Sequence, residues 1–183
     1  MFRTVEREAT GLQSLQGPRA LRYGFGQTPV GVALVAWSEQ TIWYLALAAQ
    51  DRIAALQDLQ AQRLTETLQE DPDGSAQILR QVFDLPSAND IAIAIHGTPF
   101  QRKVWNELLR IKRAEQVSYG EIAARLGVPG AARAVGSAVG ANRIAYLIPC
   151  HRVVRKSGES ARFRWGLDIK RQLSQWEAAG TCV

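Results

Sequence analysis

The sequence predicts a mixed α/β protein of the α+β kind, with two domains. A small sheet-and-helix domain is expected over residues 1–95, and a mainly helical domain over residues 96–183. Two observations support this division: apolar periods of two residues are confined to the first part, and the net charge changes sign between the parts. Hydrophobic residues make up 46% of the chain and charged residues 21%, which excludes a disordered polymer.

The first 95 residues read as strands followed by helices. Strands are predicted at residues 21–25, 30–37, 41–45 and 91–95, because these segments alternate with period two or are rich in β-branched residues. Apolar residues from Ile53 to Leu68 recur three to five residues apart and predict one helix. Residues 71–75 predict a break, and residues 78–83 a second short helix. No catalytic pattern is evident here, so we interpret this domain as a scaffold.

The charge distribution points to a polyanionic partner for the second domain. Residues 1–95 carry 7 Lys and Arg against 11 Asp and Glu, net −4, whereas residues 96–183 carry 15 against 6, net +9. Nucleic acid would be attracted to the second part only. A basic but merely solvated surface is the alternative.

The chain has neither an apolar segment of about 20 residues nor the apolar core of a signal peptide at its start. Its two cysteines, Cys150 and Cys182, cannot form a disulfide framework. The histidines and cysteines lack the paired spacing of a zinc site. We therefore expect a soluble, cytoplasmic protein without a metal or cofactor.

A helix-turn-helix is predicted in the second domain. Thr98 and Pro99 start a first helix, as N-cap and first helical residue. Ser118, with Glu121 three residues on, caps another helix; residues 127–130 then force a turn, and residues 131–141 form a helix of small side chains. Arg133 is its only long side chain, which favours DNA binding with little base discrimination, a generic helix pair being the alternative.

The chemistry is concentrated where an apolar run ends in Pro149, followed by Cys150 and His151. A thiol becomes a strong nucleophile when a neighbouring base or cation promotes the thiolate. A buried structural cysteine beside a core histidine is the alternative interpretation.

The motif Ile148-Pro149-Cys150-His151-Arg152-Val153 resembles the active-site signature of the O6-alkylguanine-DNA alkyltransferases, also called methylated-DNA–protein-cysteine methyltransferases. The resemblance covers residues 97–180, in family order and spacing, through Gly97-Thr98-Pro99-Phe100-Gln101, Val104-Trp105, Val117-Ser118-Tyr119, Ala132-Arg133-Ala134-Val135-Gly136, Asn142, Trp165-Gly166, Lys170 and Glu177. It implies a ribonuclease H-like first domain, a winged helix-turn-helix second domain, and single-use transfer of an alkyl group from O6-alkylguanine in DNA to Cys150. O4-alkylthymine is a second candidate substrate.

The resemblance also implies a role for individual residues. The catalytic set is Cys150 as nucleophile, His151 as base acting through a water, Glu177 orienting the histidine, Tyr119 donating a proton to guanine N3, and Asn142 joining the recognition helix to the cysteine segment. The DNA-binding set is Arg133, which fills the gap left by a flipped base, with Ala132, Ala134, Gly136, Ser118 and Arg143. The substrate pocket comprises Pro149, Val153, Phe163, Arg164 and Trp165. The implied partner is duplex DNA, bound by a monomer through the minor groove.

The chain departs from the family pattern at two places. The family usually has Ile-Pro and then a glycine before Val117, and here Ile111 is followed by Lys112-Arg113-Ala114. Arg162-Phe163 stands where the family commonly has Gly-Tyr, and we expect Arg162 to narrow the alkyl pocket, favouring methyl over benzyl groups.

Two other classes of protein remain open: a DNA-binding lesion sensor or regulator without turnover, and a cysteine hydrolase acting on an acyl substrate.

Overall fold

The computed structural model describes residues 3–6, 18–47, 51–65, 67–83, 91–158 and 163–180. The chain separates into two compact units, Met1–His96 and Gly97–Val183. The sequence placed the boundary one residue earlier. The mixed α/β class that the sequence predicts is confirmed.

The described residues of the first unit form a six-stranded mixed sheet. Its strands are β1 Arg3–Glu6, β2 Ala20–Thr28, β3 Gly31–Ser38, β4 Thr41–Ala46, β5 Thr67–Glu70 and β6 Ala92–Ile95. Their order in the sheet is β1-β6-β4-β3-β2-β5. Strands β2, β3 and β4 form an antiparallel meander, while β5 pairs parallel to β2, and β6 lies parallel to both β4 and β1. The four strands predicted from the sequence are all present.

The single helix predicted from Ile53 to Leu68 is wrong. Helix α1 ends at Ala61 (Arg52–Ala61), and Leu68 belongs to β5, where its backbone pairs with Leu21 of β2. Ile53 is 72% exposed, so the apolar spacing does not define one buried stripe. Backbone hydrogen bonds to β2 decide the conformation of residues 67–70. The spacing of apolar residues in the sequence does not show that these hydrogen bonds form.

The break predicted at residues 71–75 is instead the start of helix α2 (Pro72–Phe83). The Asp71 side chain accepts a hydrogen bond from Gly74 N at 2.9 Å, and Pro72 occupies the first helical position. Turn-forming residues therefore serve here as a cap. The predicted apolar residues Val82 and Phe83 are buried.

The second unit is mainly helical, as predicted. Its elements are α3 Pro99–Leu108, β7 Val117–Ser118, α4 Tyr119–Arg125, α5 Ala132–Gly140, a three-residue 3-10 helix Cys150–Arg152, β8 Val153–Val154 and α6 Leu167–Ala179. The capping box predicted at Ser118 and Glu121 is confirmed, and Thr98 forms a second one with Gln101. No helix within the described ranges is long and apolar enough to cross a membrane.

Helix α5 packs against two neighbouring helices, α3 and α4. The Trp105 indole N–H on α3 donates to the carbonyl of Ala138 at 2.8 Å. Ile122 and Ala123 of α4 are fully buried, as is Val135 on α5. The buried side of α5 is therefore committed to packing, and its opposite side is free to meet a ligand.

Candidate active site

Cys150 opens the short 3-10 helix, directly after a buried apolar segment. Leu147, Ile148 and Pro149 are buried, and the cysteine itself is 4% exposed. The backbone is compact here: Cys150 N donates to Ile148 O at 2.7 Å, and Val153 N donates back to Cys150 O. The thiol is thus held in a defined position inside the unit.

The Asn142 side chain joins the end of α5 to the cysteine segment. Its Nδ2 lies 3.1 Å from each of three acceptors, the carbonyls of Ile144 and Ile148 and the Sγ of Cys150. Its Oδ1 accepts from Ile144 N at 2.9 Å. The Asn142 amide has two N–H groups for three acceptors, so the N–H directed at the sulfur is shared. The hydrogen bond to the sulfur strengthens when the sulfur becomes negative.

The Cys150 thiol is protonated at neutral pH. Burial raises its pKa from 9.0 to about 11, because the charged thiolate loses hydration. The Asn142 hydrogen bond, the Lys170 charge and the N–H groups of residues 150 and 151 lower the pKa but do not offset burial. A proton acceptor must therefore act during any reaction in which this sulfur is the nucleophile.

His151 is a neutral base in this environment. Its side chain is fully buried, and burial lowers its pKa below the ordinary value, although the hydrogen bond and charge of Glu177 raise it. Nε2 lies 3.0 Å from Glu177 Oε1, so Nε2 carries the proton that the carboxylate accepts. Nδ1 is buried with no hydrogen-bond partner among the described residues, and its lone pair is available to take a proton.

Arg152 holds the carboxylate of Glu177 from the other side. Its Nε and Nη2 donate to the two carboxylate oxygens at 3.1 and 2.6 Å, and its Nη1 donates to the carbonyl of Ile111 at 2.6 Å. Burial alone raises the pKa of Glu177, but the hydrogen bonds and charges of His151 and Arg152 outweigh burial and lower this pKa to about 2. The carboxylate therefore stays ionised, and its geometry fixes the imidazole.

Lys170 and Tyr119 also interact electrostatically with the Cys150 thiol. Lys170 is 2% exposed and donates from Nζ to the carbonyl of Val153 at 2.5 Å. Burial lowers its pKa, and Cys150 raises it. Burial raises the pKa of Tyr119, Cys150 adds to the increase and Arg155 opposes it, so the phenol keeps its proton and can donate it.

The residues predicted to bind DNA lie mostly on the exposed side of α5. Arg133 and Ala134 are exposed, while Ala132 and Gly136 are half-buried. The Tyr119 ring packs against α5, 3.7 Å from where a side chain at Gly136 would begin. The half-buried Ser118 caps α4 through its hydroxyl, and the half-buried Arg143 follows α5. Short side chains on this side leave a smooth surface from which only Arg133 projects.

The predicted pocket residues are brought together in part. Pro149 and Val153 are buried on either side of the 3-10 helix, and the rings of Phe163 and Trp165 meet edge to face with centroids 5.2 Å apart. Arg164, between them in sequence, is exposed. Arg162 lies outside the described residues, so its expected effect on the pocket stays a prediction.

Three site residues carried no assigned role in the sequence analysis. Arg152 and Lys170 belong to the quoted motifs, but the burial that makes them influential depends on contacts between separate elements. Tyr146, whose ring stacks on His151, belongs to no motif. For Arg152 the available signal was a long basic residue within the nucleophile motif.

Comparison with known proteins identifies the family. Residues 99–179 match the family model described as 6-O-methylguanine DNA methyltransferase, DNA binding domain. The chain is 39% identical over 127 residues to the methylated-DNA–protein-cysteine methyltransferase of Saccharomyces cerevisiae, covering 69% of this chain and 68% of the yeast protein. It is 38% identical over 167 residues to the bifunctional transcriptional activator/DNA repair enzyme Ada of Escherichia coli, covering 87% of this chain and 46% of Ada.

A solved structure extends the similarity to the fold. The crystal structure of Mycobacterium tuberculosis OGT in complex with DNA matches with a TM-score of 0.70 and 32% identity, covering 87% of this chain and 93% of that one. Fold and site together define a DNA-binding transferase with a cysteine nucleophile. The chain belongs to the methylated-DNA–protein-cysteine methyltransferase family. It repairs alkylated DNA by moving a methyl group from the DNA to a cysteine of its own.

Proposed function

We propose that Cys150 is the acceptor cysteine and that each molecule acts once, on O6-alkylguanine. One observation carries this proposal. A buried thiol accepts a hydrogen bond from Asn142, and the next residue is a neutral imidazole anchored by an ionised carboxylate. This is the donor and acceptor set needed to take a proton from sulfur and stabilise the charge that results.

The transfer is a displacement at the alkyl carbon. The Cys150 proton passes through a water to His151 Nδ1, and the imidazolium that forms is stabilised by Glu177. The sulfur lone pair then forms the S–C bond while the C–O6 bond breaks, and guanine keeps that electron pair. The product is a thioether, which water does not hydrolyse, so the protein is consumed.

Tyr119 assists the departure of guanine. As the C–O6 bond breaks, negative charge spreads over the purine ring, and a phenol that donates to N3 stabilises it. The raised pKa of Tyr119 keeps this proton available at neutral pH. Lys170 adds positive charge near the sulfur during the same step.

Helix α5 enters the minor groove of duplex DNA. Its exposed side of small residues allows the backbone of the helix to approach the DNA closely, and phosphate contacts supply most of the affinity. Arg133 fills the space that the damaged guanine leaves when it flips out. Flipping costs a few kcal/mol and costs least for a badly paired base, so discrimination begins at this step.

We also propose which elements form the helix-turn-helix, the wing and the ribonuclease H-like unit. Helices α4 and α5 with their glycine turn form the helix-turn-helix, and the β7–β8 pair is the associated wing. The β2–β3–β4 meander with β5 parallel to β2 supports a ribonuclease H-like first unit, which serves as a scaffold. The proposed catalytic groups of one chain form a set that needs no residue from a second copy, and we propose that the protein acts as a monomer. A reduced thiol nucleophile suits the cytoplasm.

Intact-mass measurement after incubation with DNA containing O6-methylguanine tests the acceptor. We expect a gain of one methyl group per chain, located by peptide mapping on Cys150. Cys150→Ser should gain none while keeping its affinity for DNA, because a hydroxyl is nearly the size of a thiol and far less acidic. The matched control, Cys182→Ser, should gain one methyl group as the wild type does.

The same experiment separates the two competing classes. A lesion sensor would bind the DNA and show no mass gain. A cysteine hydrolase would turn over repeatedly on acyl substrates and would not be consumed by methylated DNA. Methyl uptake by Cys150→Ser would reject Cys150 as the acceptor.

A further inference from the structure

Tyr146 combines a left-handed backbone with a position close to the proposed nucleophile. Its backbone is left-handed, with φ at 62°. Residues with a Cβ adopt this conformation only at a cost in conformational energy. It lies in the segment between Asn142 and Cys150, the two residues joined at the nucleophile. Strain held at such a place needs compensation from the contacts of the side chain.

The compensating contacts are on the His151 imidazole. The two rings are nearly parallel, 19° apart, with centroids separated by 6.0 Å, and they form an offset stack. The Tyr146 ring also meets the Trp176 ring edge to face, with centroids 5.5 Å apart. The guanidinium of Arg113 lies over the Trp176 ring at 4.9 Å. The Tyr146 ring therefore lies against the buried histidine and is itself in contact with Trp176.

We propose that Tyr146 is a positioning residue for alkyl transfer, whose ring face orients the His151 imidazole and stabilises it as it becomes an imidazolium. This inference rests on the proposed role of His151 as the base. An aromatic face attracts a cation within about 6 Å of its centroid, and more strongly where water is excluded. His151 is fully buried, so an imidazolium formed there is shielded from bulk water and has the ring face beside it.

The charges around His151 make such help necessary. Glu177 is the single carboxylate that faces the imidazole among the described residues, and its charge is shared with Arg152 through two hydrogen bonds. Lys170 adds a second nearby positive charge. Both cations disfavour the imidazolium, whereas the neutral, polarisable ring of Tyr146 favours it.

Single-turnover transfer from a methylated oligonucleotide, measured across pH, tests the proposal. Tyr146→Phe keeps the ring and should keep most of the rate. Tyr146→Leu removes the ring face, and we expect transfer to slow about fivefold at neutral pH. The midpoint of the acidic limb should move about 0.7 pH units lower, the shift equivalent to that factor, because the imidazolium is less stable.

A series of fluorinated phenylalanines at position 146 covers the case in which Tyr146→Leu does not fold. Added fluorine weakens the attraction of the ring for a cation but keeps its shape and burial, so a role in packing alone would leave the rate unchanged. We expect a stepwise fall in rate with fluorine content. Equal rates along the series, or equal losses in Tyr146→Phe and Tyr146→Leu, would overturn the role of the ring.

Two controls separate this inference from the proposed function. Tyr23→Leu removes a tyrosine of the first unit and should leave the transfer rate unchanged. His151→Gln should abolish the acidic limb if His151 is the base. If that limb persists in His151→Gln, the base assignment fails; if it disappears and the Tyr146 series is flat, only the inference about Tyr146 fails.

Discussion

The buried thiol should make the folded protein lose stability in alkali, and Cys150→Ser should remove that loss. The pKa of Cys150 is raised from 9.0 to about 11 in the folded protein. Between these pH values the unfolded chain releases the thiol proton and the folded chain retains it. Rising pH therefore favours unfolding, by about 3 kcal/mol for a difference of two pKa units. Below pH 9 the thiol is protonated in both the folded and the unfolded chain, so none of this stability is lost there.

Denaturant unfolding at several pH values from 8 to 11 measures this loss, with reductant present. Both proteins should carry Cys182→Ser, so that Cys150 is the one thiol that differs. Other groups titrate equally in the two proteins, and the difference between their free energies of unfolding isolates Cys150. Thiolate absorbance of the folded wild type gives the pKa directly.

Parallel stability curves for the two proteins, or a Cys150 thiol that titrates near pH 9, would contradict the raised pKa of Cys150. A pKa near 9 would mean that the sulfur is solvated like an exposed thiol, and the requirement for a base would weaken. At a pKa of about 11, only about one thiol in ten thousand is ionised at pH 7, so transfer depends on proton removal within the site.

Two further predictions concern DNA and the base. Arg133→Ala should slow repair of duplex DNA about tenfold or more and leave reaction with free O6-methylguanine unchanged, because its role is to hold the flipped state; equal losses on both substrates would contradict this. Glu177→Gln should slow single-turnover transfer at least about 100-fold, because the imidazolium loses its carboxylate and Arg152 remains beside it. An unchanged rate would show that Glu177 does not act through His151.

The sequence by itself determined the class and the order of most elements, and its cysteine motif is the basis for proposing Cys150 as the nucleophile. Helix caps at Thr98 and Ser118 depend on a few adjacent residues, and both formed as predicted. The cysteine motif was recognisable because the chemistry needs particular residue types next to one another. The sequence failed at residues 53–75, where pairing of β5 with β2 and capping by Asp71 override local spacing.

Only the tertiary structure decided the protonation states and the supporting contacts of the site. Glu177 meets His151 across 26 residues, and Arg152 reaches back to Ile111 across 41. The pKa of Cys150 is set by burial among these elements, which no local pattern records. Tyr146 is the clearest case, since neither its left-handed backbone nor its stacking on His151 has a signal in the sequence. Short-range sequence patterns report the conformation that each segment prefers alone. The reactivity of a buried group depends on which distant residues exclude water from it and which charges lie nearby.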